Sequence, residues 1–274
     1  MRYAILSDIH ANYEALRAVL HALPPRLPIW FLGDAVGYYP DSIAVLDTLS
    51  ALEAERRLVV WLKGNHDEAA YLPPTTPLDM NSVARTVIRR TTAQLAQAPG
   101  PARLALLEAL PVGPQVAPGE PELTRVHAAP DAPLSHYLEH VHDAWAAASA
   151  CTTPVCLVGH THIPSKLSSP TPGVLGSWTR QELFQTQAQR FHYAPSELTF
   201  LNPGSVGQPR DGFAHVRARA YAAYGLLDTG ARTLSVQRVE YDPAPLFERT
   251  RSWLAGHLPE QEIERLCARL LRGV

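Results

Sequence analysis

The chain has 274 residues, a length that fits one large α/β domain or a domain with a modest cap and disfavours three domains. Its 46% hydrophobic and 18% charged residues supply a core, and 25 Pro with 16 Gly stay below a disorder-like composition, so the chain is expected to fold alone. Lys plus Arg number 24 against 26 Asp plus Glu, a formal charge of -2 that excludes the broad positive footprint of a protein gripping long nucleic acid.

Six short apolar runs each end in a polar cluster. Tyr3–Leu6 precedes Ser7-Asp8-Ile9-His10, Ile29–Leu32 precedes Gly33-Asp34, and Leu58–Leu62 precedes Gly64-Asn65-His66-Asp67. Leu123–Val126 precedes His127, Val155–Val158 precedes Gly159-His160-Thr161-His162, and Leu198–Leu201 precedes Asn202-Pro203-Gly204-Ser205. Runs of this length read as buried strands. Helix-period segments lie between the first three, with Leu16, Val19, Leu20 and Leu23 at i, i+3, i+4 and i+7. The alternating start predicts a parallel sheet with right-handed crossovers, whose ligands bind beyond the carboxyl ends of the strands. All six clusters would then gather on one rim of the sheet.

Residues 68–111 break this rhythm with Pro73-Pro74 and Pro77, then helical stretches near 81–97 and 101–110, and read as a helical excursion over the site. Residues 163–200 read as strands and loops rimming the sheet, and 219–240 as a hairpin turning at Asp228-Thr229-Gly230. The tail from 243 to 272 carries two amphipathic helices, the second closed by Gly273.

No apolar run approaches the ~20 residues of a membrane span, and the N-terminus lacks an apolar leader segment of ~7–15 residues, so a cytoplasmic protein without a membrane partner is expected. Cys151, Cys156 and Cys267 have no C-x-x-C spacing and read as small core residues. The unusual counts are 12 His against two Lys and four Asn. Preference for Arg over Lys is the mark of a GC-rich genome, with thermophily as the second reading.

The histidines explain themselves by position. Asp8-x-His10, Gly33-Asp34, Gly64-Asn65-His66-Asp67, His127 and Gly159-His160-x-His162 bring carboxylates, a neutral amide and imidazoles to strand ends. Oxygen and nitrogen donors without thiolates suit manganese, iron, nickel, cobalt or zinc. One ion would not need so many donors. Two divalent ions about 3.5–4 Å apart, sharing a carboxylate and a hydroxide nucleophile, are the usual device for in-line displacement at phosphorus.

In this order the five blocks resemble the calcineurin-like metallophosphoesterase superfamily. Its small bacterial and archaeal branch is matched further by Ser7-Asp8-Ile9-His10-Ala11-Asn12, Gly33-Asp34-Ala35-Val36-Gly37-Tyr38 and the string from Asn202 to Asp211, so that the resemblance runs from residue 1 to about 241. It implies a four-layer α/β/β/α sandwich of two mixed sheets, an α/β fold. The expected domain is a single one over 1–274, with the helical excursion at about 68–111 as a cap and C-terminal helices at about 243–272.

The resemblance also implies two divalent metal ions, manganese favoured. Asp8, His10 and His162 would hold the first, Asn65, His127 and His160 the second, and Asp34 would bridge them. His66 would donate a hydrogen bond to a phosphoryl oxygen or a proton to the leaving group, with Asp67 orienting it. Asn12, Tyr38 and Arg210 are expected substrate contacts. The implied activity is a phosphodiesterase or phosphomonoesterase for small, nucleotide-like esters. Hydrolysis of dinucleoside polyphosphates such as diadenosine tetraphosphate is the sharper alternative, and a non-catalytic metal-binding scaffold the third reading.

Two departures from the branch pattern fall beside the ligands: Tyr38-Tyr39-Pro40 replaces Tyr-Gly-Pro, and His127-Ala128-Ala129-Pro130-Asp131 replaces His-Gly-Ser-Pro-Arg. Both leave the ligands in place and alter the substrate pocket. Gly33-Asp34 continues as Ala35-Val36-Gly37-Tyr38, without the phosphate-clamping Asp-Arg-Gly of protein serine/threonine phosphatases. The remaining motifs have structural readings beside functional ones. His136, His140 and His142 read as one solvated face of a helix-like stretch, Asn202-Pro-Gly-Ser as a turn, and Tyr38 with Tyr39 as partial core.

Overall fold

A computed structural model describes residues 1–73, 75–78, 80–97, 102–182, 188–217 and 219–273. In chain order the first elements are β1 (Arg2–Leu6), α1 (Tyr13–Ala22), β2 (Ile29–Phe31), α2 (Ser42–Ala54), β3 (Leu58–Trp61) and α3 (Asn65–Tyr71). There follow α4 (Ser82–Gln97), α5 (Ala102–Ala109), β4 (Gln115–Ala117), β5 (Glu120–Arg125), α6 (Val141–Ala147) and β6 (Val155–Leu157). The remainder comprises β7 (Ser165–Ser169), β8 (Thr179–Glu182), β9 (Ala188–His192), β10 (Leu198–Asn202), α7 (Phe213–Arg217), β11 (Ala220–Asp228), β12 (Thr233–Tyr241), α8 (Ala244–Leu254) and α9 (Glu260–Arg272).

The strands form two six-stranded mixed sheets, in the orders β3-β2-β1-β11-β12-β9 and β4-β5-β6-β10-β7-β8. Each sheet contains a parallel trio, β3-β2-β1 in the first and β5-β6-β10 in the second, flanked by antiparallel partners. The trios are the six apolar runs of the sequence. Alternation along each run divides its side chains between two cores. Tyr3 and Ile5 of β1 point with Val155 and Leu157 of β6 and with Leu201 into the layer between the sheets. Ala4 and Leu6 face the opposite way, against Leu16 and Val19 of α1 and Val45, Leu46 and Leu49 of α2. Cys156 and Phe200 turn outward from the second sheet onto Ala144 and Ala147 of α6. Most positions of the trios are buried on both faces, which is why most of these strands read as short apolar runs; β3 leaves Val59 exposed, and β5 carries Thr124 and Arg125 within its buried stretch.

The four-layer α/β/β/α sandwich is therefore present, and one expectation is corrected. The polar clusters do not share the rim of a single sheet: three follow strands of one sheet and three follow strands of the other. Face-to-face packing brings the two rims together. The hairpin is β11–β12, and Gly273 closes α9 in the left-handed conformation at φ 65°. The segment 163–200 does more than rim the fold, since β7 pairs with β10 inside the second sheet. In the excursion, α4 and α5 form as expected. The parts of these expectations that fall on residues 74, 79, 98–101, 183–187, 218 and 274 lie outside the described residues. The stretch around His136 is not one helix: residues 133–135 form a turn, 136–139 have no regular structure, and helix begins at Val141.

Candidate metal centre

The loops leaving the strands are locked to one another by backbone hydrogen bonds. Asp8 and His10 N–H donate to the carbonyls of Gly33 and Asp34, each at 3.0 Å, and Gly159 N–H donates to His127 O at 2.7 Å. Val206 and Gly207 N–H donate to Ser7 O and Asp8 O, tying the Asn202–Gly207 turn under the first loop. The conformation these loops adopt is costly. Asp8, His10, Ala11, Asp34, Tyr38, His160 and His162 all have φ between 51° and 65°, where a side chain costs roughly 1–2 kcal/mol per residue. Such strain persists where surrounding contacts over-determine it, and here it bends the chain so that successive ligating side chains face inward.

Asp8, His10 and His162 form one group, and Asp34, His127 and His160 a second, with ligand atoms in each group within 4.8 Å of one another. The ring tautomers indicate what belongs between them. His10 Nδ1 lies 3.2 Å from Val36 O and His162 Nδ1 lies 2.8 Å from Gln208 O. A carbonyl only accepts, so both protons sit on Nδ1 and both Nε2 atoms carry bare lone pairs. Those two Nε2 atoms face each other at 3.0 Å. Burial holds both rings below the usual imidazole range, which works against a proton between them. The Asp8 Oδ1 atom, 3.4 Å from His162 Nε2, is buried with no hydrogen-bond partner. Three acceptors converging without a donor fit a cation.

The second group repeats the pattern. His127 Nδ1 lies 3.0 Å from Leu32 O, which turns Nε2 toward Asn65 Oδ1 at 3.1 Å. Burial opposes charge on this ring, but Asp34 and Asp8 raise it to about 9, so without a cation a proton occupies the gap. Among the described residues His160 Nε2 has no hydrogen-bond partner, and burial together with His127 pushes this ring down to about 3. Asp34 joins the groups. Its Oδ1 accepts the His66 N–H at 2.8 Å, which leaves Oδ2 at 3.7 Å from His10 Nε2 and 3.5 Å from His127 Nε2. All seven expected ligand residues are thus brought to one place, and their donor chemistry fits divalent ions bound through nitrogen and oxygen.

The remaining expected residues divide. His66 is buried against His10 and Tyr38, with ring centroids 4.7 Å from each, and its Nδ1 has no hydrogen-bond partner. His10, Asp34 and His66 also lie within ligand spacing of one another. Gly37, at φ 96°, makes room for this ring, since a Cβ there would lie 2.3 Å from His66 Nδ1. Arg210 donates to the Tyr38 hydroxyl at 3.3 Å, so the two stand together at the edge of the cluster.

Asp67 does not orient His66. As the third residue of α3 it accepts the N–H groups of Gly64, Asp34, Ala35 and Val36 at 2.8 to 3.2 Å, and so fixes the loop that carries Asp34. Burial and the adjacent Asp34 push Asp67 up to about 7, while Gly64 and Val36 N–H pull it down; with four donors we take the carboxylate as charged. Asn12 is likewise structural. It caps α1 through Ala15 N–H and donates to Gly207 O and the Tyr241 hydroxyl, which leaves no group for a substrate. Asn202 behaves as the turn reading expects, donating to Gly159 O and Thr161 Oγ1 and accepting from Gly204 N–H.

Tyr137 is the residue that sequence reasoning missed. Its ring lies 3.9 Å from the His160 ring and is 43% exposed. The signal was an aromatic ring among three histidines, masked by treating the stretch as one helix. His136 instead pairs with Asp131 at 2.8 Å, and His140 caps α6.

Two facing sheets with an inward cluster of carboxylate, amide and imidazole ligands at their joined rims define the class as the metallophosphoesterase type. The domain description for the calcineurin-like phosphoesterase superfamily matches residues 1–223, and the chain belongs to that superfamily, whose members are generally hydrolases. A metallophosphoesterase from Sphaerobacter thermophilus has a crystal structure with a TM-score of 0.77 to this chain, at 34% identity over the whole of both chains. An uncharacterized protein of Methanocaldococcus jannaschii is 28% identical over 268 residues, 96% of each chain. The symmetrical bis(5'-nucleosyl)-tetraphosphatase of Edwardsiella ictaluri is 39% identical over 70 residues, 24% of each.

Proposed function

We propose that the chain hydrolyses small phosphate esters, as a phosphodiesterase or phosphomonoesterase, with two divalent ions held around Asp34. The observation that carries this reading is the meeting of two acceptor clusters at Asp34 Oδ2, one of them with paired, bare Nε2 atoms at 3.0 Å. Asp8, His10 and His162 would hold one ion, Asn65, His127 and His160 the other; the nitrogen and oxygen donors suit manganese, iron, zinc, nickel or cobalt, and manganese is favoured by the family resemblance. Ions in these places supply positive charge for phosphoryl oxygens and make an attacking water easier to deprotonate.

The chain's own groups then have separate tasks. Burial pushes His66 down to about 4, so the ring is neutral near pH 7 and acts as a hydrogen-bond donor to a phosphoryl oxygen rather than as an imidazolium acid. Tyr38 holds that ring on one side, and Arg210 adds a positive charge beside it. Asp67 keeps the Asp34 loop in its strained form, and the Nδ1–H bonds to Val36, Gln208 and Leu32 carbonyls set the direction of three imidazoles.

Metal analysis of the purified chain, combined with turnover of p-nitrophenyl phosphate and bis(p-nitrophenyl) phosphate, tests the reading. Two equivalents of metal and turnover of at least one ester are expected; tight metal binding without turnover on a broad ester panel would leave the scaffold reading in its place. The 70-residue similarity to a symmetrical tetraphosphatase favours a second, narrower reading, hydrolysis of dinucleoside polyphosphates. Diadenosine tetraphosphate incubated with the manganese-loaded protein should then yield nucleotide products, and their absence rejects that reading alone.

A further inference from the structure

Beside the second ligand group lies a cavity of about 290 Å³ that opens on Asn65 and His160. Its floor is one face of α3: Asn65, Glu68, Ala69 and Leu72 fall at i, i+3, i+4 and i+7 and all line it. The rise of about 1.5 Å per residue sets Glu68 about 4.5 Å and Leu72 about 10 Å along the helix from Asn65. The other walls are Leu78 and Met80 from the excursion, and Leu134 and Tyr137 from the loop before α6. The cavity therefore begins where a phosphate would be held and runs away from it for the length of an attached group.

Its chemistry is uneven. Leu72, Leu78, Met80 and Leu134 are apolar, Ser135 adds a hydroxyl, Tyr137 offers a ring tilted by 36° against His160, and Glu68 is half-buried among them. Among the described residues no ion pair or hydrogen bond engages the Glu68 carboxylate. A carboxylate repels phosphate, so it does not serve the reacting end of an ester. It has two acceptor oxygens side by side, and their complement is a pair of adjacent N–H donors. With one aromatic wall rather than a cage of several, the site suits a flat ring more than a bulky quaternary cation.

Resting on the phosphoesterase reading, we infer that this cavity is the specificity pocket for the group esterified to phosphate. That group carries a planar heterocycle with two neighbouring N–H donors, the pattern of a guanine edge, lying against Tyr137 and hydrogen-bonded to Glu68. Adenine presents one donor beside an acceptor and meets Glu68 poorly. Hypoxanthine keeps the ring N–H and lacks the amino group.

Nucleosides carry no phosphate, so their binding tests the pocket apart from the reaction. Calorimetric titration of the purified full chain with guanosine, inosine and adenosine should show guanosine binding about tenfold more tightly than inosine, the value of one hydrogen bond to a charged acceptor, with adenosine weakest. Glu68→Gln should remove the preference for guanosine. Tyr137→Leu should weaken all three by about tenfold, as loss of a stacking partner does. Equal affinity for the three nucleosides, or an unchanged preference in Glu68→Gln, overturns the inference. If no nucleoside binds while bis(p-nitrophenyl) phosphate is hydrolysed, the pocket assignment fails and the phosphoesterase reading stands. If guanosine binds selectively and no ester is cleaved, the opposite holds.

Discussion

Asp8, His10, Asp34, His127, His160 and His162 are each at most 4% exposed, whereas Tyr137 in the cavity beside them is 43% exposed. Most of the first set are fixed by further contacts: Asp67 clamps the Asp34 loop through four N–H groups, and carbonyls orient three of the imidazoles. Tyr137 packs on the His160 ring and Glu68 is carried by α3, but among the described residues no hydrogen bond or ion pair fixes either side chain. On the proposed function and the pocket inference, the difference separates two jobs. Geometry at a metal cluster tolerates little error, so it is held by backbone that cannot relax. A pocket that chooses a leaving group needs only shape and one polar contact, and it can sit on a solvent-facing excursion.

Replacing Asp34 attacks the buried side most directly. Asp34→Ala should lower turnover at least about a thousandfold, in keeping with the several kcal/mol that paired ions supply, and should lower metal content measured by mass spectrometry. Full activity with two bound ions would break the assignment. Asp67→Ala should act through stability, because each stranded buried N–H costs about 1–3 kcal/mol. Urea unfolding should show a loss of several kcal/mol, and a change under about 1 kcal/mol would mean the clamp is not what holds the loop.

His66→Ala tests the boundary between the two regions. Loss of one aimed hydrogen-bond donor should cost about a hundredfold to a thousandfold in kcat while metal content stays at the wild-type level. Unaltered turnover would remove His66 from the reaction. A change in metal content would instead place it among the ligands.

The smallest effect is on pH dependence in chelator-treated protein. His127 is raised to about 9 against an unfolded value near 6.5, so its contribution is fully present below about pH 6.5 and is lost as pH rises through about 9. His66 and His160 are lowered, to about 4 and about 3, and work the other way, adding stability as pH climbs toward about 6.5. Thermal unfolding of the chelated chain should thus be most resistant near neutrality and lose at most about 3 kcal/mol by pH 9.5. A stability that keeps rising through that window would show that His127 is not protonated there.

Five of the six trio strands could be read from their apolar residues because strands buried on both faces are apolar at most positions, whereas β5, with Glu120, Glu122, Thr124 and Arg125, was read more from its place before His127. The candidate ligands could be picked out because a metal site would restrict residue types, and the structure brings Asp8, His10, His160 and His162 together as that reading requires. The roles of Asp67 and Asn12 could not. A carboxylate and an amide next to ligands are compatible with chemistry or with capping, and only their hydrogen-bond partners, Gly64 to Val36 in one case and Gly207 with Tyr241 in the other, separate the two. Tyr137 was hidden for a related reason: its neighbour His160 is 23 positions away along the chain.

What the sequence determined by itself, then, is the set of donors and the strands that carry them, since both depend on residue type and local period. What tertiary structure decided is which rim faces which, how far the loops are forced into positive φ, and where an unpaired Glu68 comes to lie. Those depend on two sheets closing over one core, and a packing between distant segments leaves no local trace in the order of the residues.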